Sequence, residues 1–253
     1  MTCQRRPLAQ PFPLPLPSAF YLTEHLGVTA VDWQLQADQA SLETEHWQVE
    51  LDPRAPNAGL QIRVGTTQLG QFFRIEPKPS HSFSIQEAYV RQDDLIVRYE
   101  QSGDDLYTVQ LNWRRLDWET PDALALELWI SVQTSLLDTH PVIDVRSCTA
   151  GTRWHSLSLN DLSISSNDTT VIGLVKKSAV TVMVMVEPSD AKLANRVLDL
   201  NEDFALRIFG DFMEKGVIRR TRLRLFAMTG EITRSKIAQQ YRLFSESPLP
   251  LTA

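Results

Sequence analysis

The chain has 253 residues, 43% hydrophobic and 22% charged, with a formal charge of −6 at pH 7. That acidic balance offers no general attraction for nucleic acid or an anionic membrane surface, so neither is expected as a partner. Cys3 and Cys148 stand far apart in no paired motif, which supports neither a disulfide framework nor a zinc site. No apolar run approaches the ~20 residues that span a bilayer.

Residues 1–19 carry Pro11, Pro13, Pro15 and Pro17 and read as an extended arm, laid over a sheet edge or without fixed structure. The alternate-position prolines lack PxxP spacing. They also interrupt any apolar stretch after Arg5 and Arg6, so no signal peptide is read and the cytoplasm is the default location. Residues 20–253 are expected to form one domain. The stretch 20–43 shows no clear period; strand patterns then begin with HWQVEL at 46–51, GLQIRV at 59–64 and QFFRIE at 71–76.

Segments 82–91, 94–101, 105–116 and 123–136 follow with gaps of hairpin length, which predicts a meander running on into 142–148. In the longest, Leu124, Leu126, Leu128, Ile130, Val132 and Leu136 point one way. Glu127, Trp129, Ser131 and Gln133 point the other, as period-two alternation requires. RWHSLSL at 153–159 and a segment at 170–176 continue the pattern, and Asn167-Asp168-Thr169 between them reads as turn chemistry. AVTVMVMV at 179–186 is apolar on both faces, so it predicts a central strand covered on both sides. After a polar stretch at 190–203 come strands at 204–209 and 216–227. The period then changes: Ile232, Ile237, Tyr241 and Phe244 predict a helix over 230–246 that stops before Pro248. Its apolar stripe should pack on the protein's own sheet, with a homodimer contact as the alternative. The expected fold is therefore all-β and mainly antiparallel, a large sandwich with one C-terminal helix.

If the meander pairs in order, one polar sheet face collects Arg98, Glu100, Gln110, Asn112, Arg114, Glu127, Trp129, Ser131, Gln133, Asp144 and Arg146. Carbohydrate recognition wants this mixture, because an aromatic ring packs on the C–H face of a sugar while polar groups bond its hydroxyls. The structural alternative is a solvated face laced with cross-strand charge pairs. His140, in a turn, and His155, after Trp154, could serve as acid or base near neutral pH beside a carboxylate such as Asp138, Asp144 or Glu187. Arg220, Arg222 and Arg224 fall on one face of their strand and could hold an anion such as a phosphate or uronate, or else pair with neighbouring carboxylates. The histidine spacing suggests no metal ligand set, and no GxSxG, Walker A or GxGxxG sequence occurs. No cofactor is expected.

Long antiparallel strands over 44–227, with RWHSLSL followed by AVTVMVMV, resemble the galactose mutarotase-like supersandwich. The resemblance implies that fold, with two histidines and a carboxylate around a sugar ring; His140 and His155 would be the histidines. Three functional expectations follow. The first is a carbohydrate-recognition or accessory domain centred on Trp129. The others are a mutarotase- or epimerase-like enzyme and a non-catalytic protein-interaction domain.

Overall fold

Alternating side chains favour strands because only a pleated chain sends neighbours to opposite faces, and strands dominate the computed structural model. It describes residues 32–117, 120–157, 162, 172–187 and 203–247, all within the compact unit Val31–Ala253. In chain order the first strands are β1 (Gln34–Gln36), β2 (Gln39–Glu43), β3 (Trp47–Leu51), β4 (Leu60–Val64) and β5 (Thr67–Lys78). Next come β6 (Ile85–Arg91), β7 (Asp94–Tyr99), β8 (Thr108–Leu116), β9 (Ala123–Gln133), β10 (Asp138–Thr139) and β11 (Val142–Cys148). The last are β12 (His155–Leu157), β13 (Ile172–Lys177), β14 (Val180–Val186), β15 (Asp203–Phe209), β16 (Met213–Glu214) and β17 (Ile218–Thr229), then helix α1 (Arg234–Glu246).

Two antiparallel sheets pack face to face. The first runs β1-β2-β3-β4-β5-β11-β15, and the second β12-β13-β14-β17-β9-β8-β7-β6. Their inner faces share one apolar core, to which β3 gives Trp47 and Val49, β8 gives Val109, Leu111 and Trp113, and β9 gives Leu126, Leu128 and Ile130. This is the expected all-β sandwich. Strand β14 lies inside the second sheet with all seven residues buried. Val182 and Val184 enter the inter-sheet core, while Met183 and Met185 face outward under α1 with Ile237, Tyr241 and Phe244. Both sides of AVTVMVMV are thus covered, as its composition predicts.

Two expectations are corrected, and one stretch without a clear period is resolved. The meander β6-β7-β8-β9 ends at β9, because β11 crosses to the first sheet and pairs with β5 and β15. The long strand also ends early, at Gln133. The buried Thr134 hydroxyl donates to the Leu106 carbonyl (2.7 Å) and accepts the Leu136 N–H (3.1 Å), a side-chain turn that competes with the ladder. Leu136 is consequently 40% exposed rather than packed. Finally, β1 and β2 lie in the stretch that shows no clear period; Ala40 and Leu42 of β2 are fully buried, but two apolar positions make a weak signal. The expected arm at 1–19, the turn at 167–169 and the polar stretch at 190–202 lie outside the described residues.

Candidate functional site

Strand register builds the outer face of the second sheet in cross-strand rows. One row is Arg98, Gln110, Ser131 and Arg220; the next is Ile96, Asn112, Trp129 and Arg222; the third is Asp94, Arg114, Glu127 and Arg224. Gln133 follows on β9, opposite Thr108 and Ile218. The predicted ligand-binding residues of β7, β8 and β9 therefore do share a face. Arg146 and Asp144 do not, because the crossing of β11 carries them to the first sheet. There Arg146 meets Glu76 (3.2 Å) and Asp203 (3.7 Å), and Arg207 donates twice to Asp144 (2.7 and 3.0 Å).

The Arg207 hydrogen bonds hold the Asp144 carboxyl below the ordinary aspartate range. Such a group contributes stability that is fully present above its unfolded pKa, ~3.9, and is lost as pH falls through the lower folded value. Asp144→Asn is expected to lower stability at neutral pH and to flatten the loss of stability below about pH 4. Urea unfolding followed from neutral to acid pH checks this.

The first half of the outer face is covered. Trp129 is only 7% exposed, and its indole N–H donates to Glu127 Oε1 (2.8 Å). Glu127 Oε2 accepts from Arg224 Nε (3.0 Å) and Nη2 (2.6 Å), and Glu187 accepts from Arg222 Nε (2.7 Å). Burial pulls the Arg224 guanidinium below its ordinary value, with Glu127 acting in the opposite direction. The two arginines also grip the end of α1. Arg222 donates to the Phe244 carbonyl (2.9 Å) and Ser247 Oγ (2.8 Å). Its guanidinium carbon lies 5.3 Å from the Trp129 ring centre and 4.5 Å from that of Phe244, and Arg224 lies 4.6 Å from Phe244.

The last carbonyls of a helix have no intrahelical partner and carry partial negative charge. The last turn of α1 has no basic residue of its own, so Arg222 reaches up from the sheet to supply the missing donors. Trp129, on which a sugar ring was expected to stack, is therefore buried beside an arginine bonded to the end of α1. Sequence reading had the arginine row and the helix stripe separately; their meeting at Phe244 and Ser247 was not legible.

The second half stays open. Arg98, Gln110, Ser131 and Gln133 are half-buried and Arg220 is exposed. Neither Arg98 nor Arg220 makes an ion pair among the described residues, although Glu87 stands opposite Arg98 in register. Tyr89, 39% exposed, sits beyond Ile96 on the same face. The buried side-chain oxygen of Asn112 has no hydrogen-bond partner among the described residues. Arg114, at the other end of β8, is held by Asp94 (2.7 and 2.8 Å), and those bonds raise its pKa.

The structure does not bring His140, His155 and Glu187 together. His155 pairs through Leu174, Met183 and Phe226 to the level of Ala125. The Glu187 N–H bonds the Arg222 carbonyl (2.9 Å), at the level of Trp129. His140 lies past the far end, against Phe212 of the β15–β16 turn (ring centres 5.8 Å apart) and 3.7 Å from Asp138. At ~3.3 Å per residue the levels of Ala125 and Gln133 are about 26 Å apart.

A histidine outside the predicted set is better anchored. His81 is buried, with Nε2 2.7 Å from the Tyr107 carbonyl oxygen and Nδ1 accepting the Phe83 N–H (3.2 Å). Nδ1 also lies 3.5 Å from Asp105. The Ser82 hydroxyl donates to that Asp105 (2.6 Å) rather than to the imidazole. The group ties a loop to β8 and does not form a nucleophile–base pair.

Among the described residues no group of three or more potential ligands could hold a metal ion. No family model matches the chain, and no curated protein matches its sequence.

Proposed function

We propose that the protein is a non-catalytic recognition domain that holds a carboxylate-bearing carbohydrate across the open half of the second sheet's outer face. The observation that carries this reading is the row Arg98, Gln110, Ser131 and Arg220. Two guanidinium groups without ion-pair partners among the described residues bracket an amide and a hydroxyl. Three strand spacings separate the arginines, about 14 Å of backbone. Guanidinium groups match carboxylates in shape and charge, while amide and hydroxyl groups exchange hydrogen bonds with sugar hydroxyls. With Trp129 buried, Tyr89 is the exposed aromatic ring among the described residues of this face, available to a sugar's C–H face. The weight of recognition then shifts from stacking to charge.

A glycan array containing uronate-bearing and neutral chains tests this. Binding is expected on the uronate-bearing chains and should weaken as salt rises. Arg98→Ala with Arg220→Ala should reduce affinity about tenfold or more, at ~1.5 kcal/mol or above for the lost charge-assisted bonds. Their position on an accessible face leaves the unfolding midpoint nearly unchanged. An array without signal, or binding indifferent to the double substitution, would sink the proposal.

A further inference from the structure

We infer that the protein forms a two-fold dimer in which β6 pairs antiparallel with β6 of a second copy, centred on Tyr89. The inference does not rest on the ligand proposed above, although both use Tyr89. Among the described residues, strand β6 ends the second sheet and has a ladder partner on one side only. Gln86, Glu87, Tyr89 and Arg91 are exposed. A register shift between Ile85 and Glu87 interrupts its start, leaving Glu87 to Arg91 as the regular stretch of edge. Exposed edges of this kind are templates for another strand unless charge or shape blocks them. Here the blocking charges are Glu87 and Arg91, and their spacing makes them self-complementary.

The hairpin fixes which backbone groups are free. The turn between β6 and β7 has two residues, Gln92 and Asp93, with Gln92 at φ +53°. Arg91 and Asp94 therefore form the hydrogen-bonded pair next to it. Alternation then turns the N–H and C=O of Arg91 and Tyr89 toward β7, and those of Val90 and Ala88 toward the open edge.

A second β6 placed with Tyr89 on the two-fold axis sets Ala88 against Val90 of the other copy, twice. Both carry outward-facing groups, so the two pairs supply about four new backbone hydrogen bonds. The same register sets Glu87 against Arg91 of the other copy, also twice, and Tyr89 against its own counterpart. All three contacts lie on the outer face and fall at non-hydrogen-bonded pairs, where opposed side chains are closest. No one-residue shift of register achieves this. Centred on Ala88, the pairing would set Glu87 against Tyr89 and leave both arginines without a carboxylate.

Sedimentation velocity over a concentration series tests the dimer. The wild-type chain is expected to shift from monomer to dimer with rising concentration. Glu87→Arg and Arg91→Glu should each weaken association about tenfold or more, because each like-charge pair is created twice across the axis. Combining the two substitutions restores opposite charges in the same register and should recover wild-type association. Val90→Pro removes an outward N–H while sparing the ladder to β7, so it should abolish the dimer with the circular dichroism spectrum unchanged. A chain monomeric at every concentration would overturn the inference. So would a dimer indifferent to Glu87→Arg, or a double variant that fails to recover.

Discussion

Glu127→Ala is expected to cost about 3–5 kcal/mol of folding free energy, because it leaves a buried guanidinium without its counter-charge. Glu127 bonds Arg224 through two nitrogens and Trp129 through the indole N–H, and its side chain is 4% exposed. Removing the carboxylate therefore takes the acceptor from three N–H donors on two buried side chains. An exposed ion pair would cost only ~0–1 kcal/mol, so the size of the loss distinguishes the two situations. Urea unfolding measures it through the midpoint, provided the slope is unchanged. Replacing Glu127 and Arg224 together by leucine should recover much of the loss, since a well-packed apolar pair replaces a buried ion pair at little cost. A single-variant loss under about 1 kcal/mol would mean that water enters the network and screens it.

This network also marks the limit of what local sequence conveys. Strand β14 was legible because both of its faces are apolar, and that pattern has one economical explanation, cover on both sides. The two faces of β9 were legible for the same reason, since alternation is a local property. What covers an outer face is not local. Glu127, Trp129 and Ser131 alternate with leucines whether solvent, a ligand or a helix lies above them. The stripe of α1 specified an apolar partner without saying which half of which sheet would receive it. The crossing of β11 was hidden similarly: Asp144 and Arg146 alternate with Ile143 and Val145 in either sheet. Only the pairing of Arg146 with Glu76 and of Asp144 with Arg207 distinguishes the alternatives, and those partners lie 70 and 63 positions away in the chain.

Phe244→Ala is the second substitution expected to have a large effect, about 3–5 kcal/mol for a fully buried ring. Phe244 has no exposed surface, belongs to the apolar layer between α1 and β14, and lies against both Arg222 and Arg224. Two contributions are separable here. Phe244→Leu keeps most of the apolar volume but removes the ring face, so its cost isolates the guanidinium contacts, at ~1–2 kcal/mol for a desolvated pair. A leucine variant as damaged as the alanine variant would assign the whole effect to the lost ring, leaving none to volume. Trp129 reports on the same event. It lies beside Arg222, which bonds the end of α1, whereas Trp33, Trp47, Trp113 and Trp154 sit in the inter-sheet core. Loosening the helix end should thus shift the emission of Trp129 to longer wavelength while the core tryptophans stay buried. A red shift in Phe244→Ala before global unfolding would show that the Arg222–Phe244 contact is what keeps the polar face closed. Loss of stability without that shift would place the damage in the sandwich itself.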